Sequence, residues 1–332
     1  MKNNKRNFIL ILALTIIVLY FALKDNFAEK IKYLISFDIK WLIVAFILIL
    51  SYWFLKGLVL YYCTKKVYKD YKEKQGILLM ITTQFFHAIT PFSAGGQPWQ
   101  IYKLKKDGLS LGQSSNVIIQ DFIAYQIALV LLGAIAIISN YTFHLFPANN
   151  ILKKLVILGF TINSLVVAFL FLVAFSQKWN KKLIDGTINI LYKFKIVKNK
   201  EEKLKHSEQF IHNFHESAIV LFKDKRNVLR IVFLNFIALI GQYLIPFALL
   251  MGLGIYLNPL KVIVTSAYVM LIGSMMPIPG GTGGLEYSFL AFYQNFITEP
   301  MLSSIMIAWR IITYYFGILI GGITLSFNKE AK

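Results

Sequence analysis

The sequence predicts an all-α, polytopic integral membrane protein with about six spanning helices and two re-entrant helical hairpins in an inverted repeat. Three observations lead there. Of 332 residues, 57% are hydrophobic and only 15% are charged, against ~25% charged in a typical soluble domain, and the mean hydropathy is +0.61. Several apolar runs reach the ~20 residues that a helix needs to cross a ~30 Å hydrocarbon core. Two more apolar runs stop at Pro/Gly clusters that a helix does not pass through. This composition excludes a soluble globular enzyme and a disordered basic tail.

The spanning runs are, in order, residues 8–23, 41–63, 114–138, 155–176, 228–250 and 301–327. The first follows Lys2, Lys5 and Arg6 and has the outline of a signal peptide. Lys24, Asp25 and Asn26 stand where a small-x-small cleavage site would be, so it reads as an uncleaved first helix. The broken runs are 76–90, ended by Pro91-Phe92-Ser93-Ala94-Gly95-Gly96-Gln97-Pro98, and 262–276, ended by Pro277-Ile278-Pro279-Gly280-Gly281-Thr282-Gly283-Gly284. Each is about 15 residues, too short to span. Non-helical backbone at membrane depth is tolerated where it is buried in protein or lines a wet cavity, which predicts a re-entrant hairpin at each break.

Charge supports this topology. Lys and Arg number 35 and Asp and Glu 16, a formal net charge of +19. If each hairpin returns to its starting side, 26 of the 35 basic residues fall in segments 1–7, 64–75, 103–106, 177–230 and 328–332. Seven fall in 24–40, 139–154 and 251–261, and Lys56 and Arg310 lie within helices. The richer set is cytoplasmic by the positive-inside rule, with both termini inside. The excess is read as orientation and contact with anionic headgroups, and nucleic acid is not an expected partner. The first hairpin then enters from the cytoplasm and the second from outside.

The breaks are offset by about 185 residues, and the helices after them align: Gln120 to Tyr125 against Trp309 to Tyr314, Gly133 against Gly322. This predicts one transmembrane domain over 1–332, with repeat cores at 76–138 and 262–327. Short, Gly/Pro-interrupted segments in matching halves are the sequence pointer to a transporter's binding site. Between the cores, residues 177–227 are polar and Lys-rich, with apolar residues such as Ile184, Ile188 and Phe214 recurring, as in an amphipathic cytoplasmic segment. The single cysteine, Cys63, excludes a disulfide framework or a cysteine-ligated zinc cluster.

Three constellations could carry chemistry. In the first break Gly95 and Gly96 free backbone N–H groups, Thr90, Ser93, Gln97 and Gln100 add neutral hydrogen bonds, and a helix starting near Pro98 would aim its positive end at the tip. That suits an anion such as phosphate, or a tight packing turn. In the second, Gly280, Gly281, Thr282, Gly283 and Gly284 precede Glu286. Glu286 reads either as a cap on the returning helix or as a proton carrier or contact to a cationic headgroup. The third is Asp121 with Arg310, intramembrane charges at equivalent repeat positions, for which partnership is expected. They read as a structural ion pair, or as Arg310 on a lipid phosphate with Asp121 balancing it. Lys56 is a further phosphate candidate, or a partner for Asp121 or Glu286. His87 reads as a satisfied side chain, and His212, His215 and Glu216 as a solvated face. No metal, cofactor or catalytic set is expected.

Thr90 to Pro98, Ile119-Gln120-Asp121 and Pro277 to Glu286 together resemble the lysylphosphatidylglycerol synthase transmembrane-domain family, the flippase half of the bacterial multiple peptide resistance factor, over nearly the whole chain. The resemblance implies a flippase-like domain of a bacterial inner membrane. In two-domain members it moves lysyl-phosphatidylglycerol to the outer leaflet, which resists cationic peptides. Those members continue into a large soluble domain that takes lysine from lysyl-tRNA. Here the sequence stops five residues after Phe327, so lysyl transfer is not expected of this chain.

The expected activity is therefore lipid translocation, of lysyl-phosphatidylglycerol or of an isoprenoid-linked lipid, with Arg310 and the glycine-rich tips on phosphate. The rivals are headgroup transfer with His87, Asp121 or Glu286 as base, and a membrane subunit of phosphatidylglycerol lysyltransferase activity that docks a separate synthase through 177–227. Expected partners are a phospholipid substrate, such a synthase, and a second copy of the chain.

Overall fold

The fold is that of a computed structural model, which describes residues 27–145, 150–193, 222–276 and 278–327 and isolated positions between 201 and 219. The expected first helix at 8–23, both termini and most of 194–221 lie outside the described residues. Those described are helical throughout: α1 (Phe27–Ile35), α2 (Ile39–Val67), α3 (Glu73–Ala88), α4 (Gly96–Lys106), α5 (Leu111–Phe143), α6 (Asn150–Phe175), α7 (Gln177–Lys193), α8 (Lys225–Tyr243), α9 (Ile245–Gly252), α10 (Pro259–Gly273), α11 (Gly284–Tyr293), α12 (Met301–Arg310) and α13 (Phe316–Phe327).

Local chemistry starts these helices where they start. Asp38 accepts from Lys40 N–H before α2, and Ser110 and Gln113 form a capping box before α5. Asn258 accepts from Leu260 N–H before α10, with Pro259 in the first turn. Five stretches are long and apolar enough to cross a membrane: Ile39–Val67, Leu111–Phe143, Ile151–Leu172, Lys225–Gly252 and Met301–Phe327. The expected span at 228–250 is two helices, because Pro246 opens α9. The span at 301–327 carries a π-helical turn at Ile311–Tyr315.

Contacts between helix ends sort the bundle into two sides. At one, Asp38 N–H donates to the Gly252 carbonyl at 2.9 Å, and Ser304 Oγ donates to the Lys30 carbonyl at 3.2 Å. At the other, Lys66 pairs with Asp224 and Phe175 packs on Phe222. The second side is the lysine-rich one. There Asp224 caps α8, and hydrogen bonds from Lys66 and the Asn227 N–H hold its carboxyl below the ordinary carboxylate range. The contact is present at neutral pH and is lost on acidification.

The two breaks are built alike. Helix α3 has 16 residues and α10 has 15, about 24 and 22 Å at the α-helical rise. Each ends in a short 3₁₀ turn, Pro91–Ser93 or Pro279–Gly281, 188 positions apart. Phe92 and Ser93 have φ of 54° and 54°, and the equivalent Gly280 and Gly281 have 62° and 64°. Helices α4 and α11 fold back onto α3 and α10. Helix α3 sets out from the lysine-rich side and α10 from the other.

Packing between the halves is reciprocal. Helix α5, which follows the first hairpin, lies on α10 of the second, and α13, which follows the second, lies on α3 of the first. Glycines make the close approaches. A Cβ at Gly133 on α5 would sit 3.3 Å from Leu271 on α10. One at Gly321 on α13 would sit 2.9 Å from backbone atoms of Ile81 and Phe85 on α3. Each outer helix thus holds the other half's hairpin, and the two turns touch. Helix α1 packs on α12, while α7 leaves Trp179, Leu183 and Ile190 exposed.

Candidate functional site

Where the turns meet, a cavity of about 330 Å³ opens between α2, α3, α4, α5, α10 and α12. That is the lower end of the range for small-molecule sites. Its wall carries eight of the candidate residues: Lys56, Asp121, Arg310, Ser93, Gln97 and Gln100, with Gly280 and Gly281. Thr282, Glu286, Gly95, Gly96, Gly283 and Gly284 do not line it.

The charges are paired within each half. Asp121 and Arg310 do not pair with one another, as equivalent positions had suggested. Lys56 Nζ lies 2.7 Å from Asp121 Oδ1 and donates to Asn235 Oδ1 at 2.8 Å. Asn235 in turn donates to the Ile231 carbonyl at 2.8 Å. Arg310 Nε lies 2.7 Å from Glu286 Oε1. Its Nη2 donates to the Gly280 carbonyl at 3.1 Å and to Thr282 Oγ1 at 3.3 Å. The reason is helix register. Asp121 is on the face of α5 that meets α2, whereas Arg310 ends α12 against the first turn of α11. All four charged residues are at most 6% exposed, and a buried charge persists only when it is paired and hydrogen-bonded.

Glu286 caps the returning helix, one of its two readings, and also forms an ion pair with Arg310. Oε2 accepts from the Gly283 N–H at 2.7 Å, capping α11, while Oε1 faces Arg310. The glycine N–H groups expected to face an anion are largely used inside the turns. Gly95 donates to Thr90 Oγ1 at 2.7 Å, and Gly281 to the Ile278 carbonyl at 2.9 Å. A Cβ on Gly96 would lie 2.2 Å from the His87 ring, so that glycine admits the imidazole. His87 Nδ1–H donates to the Ser93 carbonyl, which braces the turn. Of the sequence-predicted residues, Ser93, Gln97, Gln100, Lys56, Asp121 and Arg310 present polar side chains at the wall. Gln97 Oε1, Trp53 Nε1 and Gln242 Oε1 are buried at the wall without a hydrogen-bond partner among the described residues.

Sequence reasoning missed several members. Asn235 completes the Lys56 site, and Asn163 joins α6 to the cavity, donating to Ser274 Oγ at 3.0 Å. The available signal was a lone asparagine in each apolar run. Tyr314 has the largest structural role. Its hydroxyl donates to the carbonyl of Ala88 at 3.1 Å, one of the last carbonyls of α3, which have no helical partner. The Arg310 guanidinium lies 4.5 Å from its ring centroid, and its edge fills the space over Gly280, where a Cβ would be 2.1 Å from the ring. One side chain ties both turns together, and the π-helical turn carries it; such turns are frequent at functional sites.

Gly280 accordingly admits no side chain. In Gly280→Ala, the positive φ costs about 1 kcal/mol and displacing Tyr314 a further ~1–3 kcal/mol. Thermal unfolding in detergent measures the loss, and a Gly280→Ala protein as stable as wild type would refute this packing.

Two comparisons bear on identity. A UPF0104 membrane protein from Archaeoglobus fulgidus is 26% identical over 293 residues, 86% of each chain. The family model described as the lysylphosphatidylglycerol synthase TM region matches residues 8–321, which take in both hairpins, both buried ion pairs and the cavity they line. The chain is thus a membrane protein of the lysylphosphatidylglycerol synthase transmembrane-region family.

Proposed function

We propose that this protein translocates a lipid between membrane leaflets. The observation that carries the reading is the meeting of two oppositely entering hairpins at a cavity walled by Lys56–Asp121 on one side and Arg310 on the other. A headgroup sits there with its phosphate toward Lys56 and Arg310 and its hydroxyl or amine toward Ser93, Gln97 and Asp121. The acyl chains stay in lipid. Rocking of one half against the other exposes the cavity to each leaflet in turn. The lysine-rich side faces the cytoplasm. Lysyl-phosphatidylglycerol is the first substrate to test, because the description of the family names that lipid.

The test is leaflet-resolved lipid movement in proteoliposomes containing labelled lysyl-phosphatidylglycerol, phosphatidylglycerol or an undecaprenyl-phosphate-linked lipid. One of them is expected to cross at a rate proportional to protein, naming the substrate. Folded protein that moves none of the three would overturn the proposal.

A further inference from the structure

The cavity has a second chemistry besides its charges. Six carboxamide side chains line it: Gln84 of α3, Gln97 and Gln100 of α4, Gln126 of α5, Asn163 of α6 and Gln242 of α8. Neutral polar groups are thus gathered at one place in a mostly apolar bundle, where each is costly when unpaired. Three of the six are held by the protein. Gln84 Nε2 donates to the Met80 carbonyl at 3.2 Å, and Gln126 Nε2 lies 3.4 Å from Asn163 Oδ1. Asn163 Nδ2 donates to the Gly159 carbonyl at 2.7 Å and to Ser274 Oγ. Gln97 Oε1 and Gln242 Oε1 have no hydrogen-bond partner among the described residues, and neither has Trp53 Nε1. Trp53 is 2% exposed, and its ring stacks on Phe316 with centroids 5.4 Å apart. The direction of its N–H is therefore fixed, and a buried indole N–H usually finds an acceptor.

The charges do not supply the missing partners. Among the described residues, the wall sets Lys56 and Arg310 against a single carboxylate, Asp121. That carboxylate is committed to Lys56 at 2.7 Å, and Glu286 sits off the wall on Arg310. An ammonium headgroup only donates, and it would bring a third cation to one shared carboxylate. A phosphate only accepts, so it meets the cations and leaves the amide oxygens unmet. A hydroxyl both donates and accepts. It answers an amide oxygen and an indole N–H alike, and either end of an amide turned toward it.

We infer that the cavity recognises the hydroxyls of a polyol or sugar headgroup, with Trp53, Gln97 and Gln242 as the residues that select for them. The inference rests on the proposed translocation for its ligand being a lipid, and it narrows the headgroup to a polyhydroxy group esterified to phosphate. A headgroup hydroxyl reproduces the hydrogen bonds of a water molecule at these groups, whereas a methylene displaces that water and returns nothing.

The test compares two soluble short-chain lipids that share a phosphate and a headgroup of the same carbon length. They are dihexanoyl-phosphatidylglycerol and dihexanoyl-phosphatidylpropanol, and the second lacks the headgroup hydroxyls of the first. Titrated calorimetrically into the full chain in detergent, the glycerol lipid is expected to bind at least about ten-fold tighter, because a site that hydrogen-bonds hydroxyls rejects the analogue without them. Trp53→Phe keeps the ring on Phe316 and removes the N–H, and Gln242→Leu removes an amide. Each is expected to narrow the gap about five-fold, and an unchanged gap in both would refute their selecting role. The main comparison uses the wild-type chain, so it stands even where a variant is less stable. Equal affinity for the two lipids, or binding of neither, overturns hydroxyl recognition. So does tighter binding of dihexanoyl-phosphatidylethanolamine than of the glycerol lipid. Dihexanoyl-phosphatidylinositol separates the two sources: tighter binding than the glycerol lipid assigns the site to a ring, weaker binding to an open-chain polyol. A protein that prefers hydroxyls yet moves no lipid fails the translocation reading alone. One that moves lipid with no such preference fails this inference alone.

Discussion

Asp121→Ala is expected to lower stability by about 3–5 kcal/mol, because among the described residues it leaves the buried Lys56 ammonium only the neutral amide oxygen of Asn235 as acceptor. The informative experiment is the pair of changes together. Lys56→Met with Asp121→Leu removes both charges and keeps the volume, and replacing a buried ion pair by apolar groups is commonly neutral or stabilising. The double variant should therefore recover most of the lost thermal midpoint. It should not recover lipid movement, because the cavity then lacks both a phosphate contact and its counter-charge. Recovery of both would reduce the pair to a packing device. Asn235 would then be left without its donor from Lys56, so the double variant is expected to fall slightly short of wild type.

Arg310→Ala carries the second large effect, again about 3–5 kcal/mol for uncovering a buried carboxylate. The loss reaches beyond Glu286. The Gly280 carbonyl and Thr282 hydroxyl lose their donor, and Tyr314 loses the cation over its ring. Both turns loosen together, since Tyr314 holds the end of α3 through the Ala88 carbonyl. Arg310→Lys preserves the charge but not the planar fork, so it is expected to regain only part of the stability. Glu286→Gln keeps an oxygen for the Gly283 N–H while removing the counter-charge, so it separates capping from pairing. If Arg310→Ala unfolds at the wild-type temperature and moves lipid at the wild-type rate, Arg310 has no part in either role.

Much of the architecture was legible in the chain. Apolar runs gave five spans within a few residues, because the bilayer sets a length that a 1.5 Å rise converts directly into residue number. The breaks were legible for a similarly local reason. Pro91, Pro279 and the glycines at 280 and 281 act on their own backbone, and the helices stop there. The π-helical turn at Ile311–Tyr315 had no comparable signal, since no proline or glycine marks it.

What the sequence by itself determined is the class of protein, the positions of its helices, the two interrupted segments and the residue types that had to be buried there. These follow from hydropathy and backbone chemistry, which act over one or two turns. What only the tertiary structure decided is who meets whom. Asp121 turned to Lys56 and Arg310 to Glu286, though symmetry in the chain had suggested the pair Asp121–Arg310. Asn235 joined the first pair from a helix more than a hundred residues away, and Tyr314 came to lie across Gly280 and Ala88. Such partnerships depend on helix rotation and depth, where one residue turns a side chain by about 100°. Glycines such as Gly133 and Gly321 set how closely helices distant in sequence approach one another.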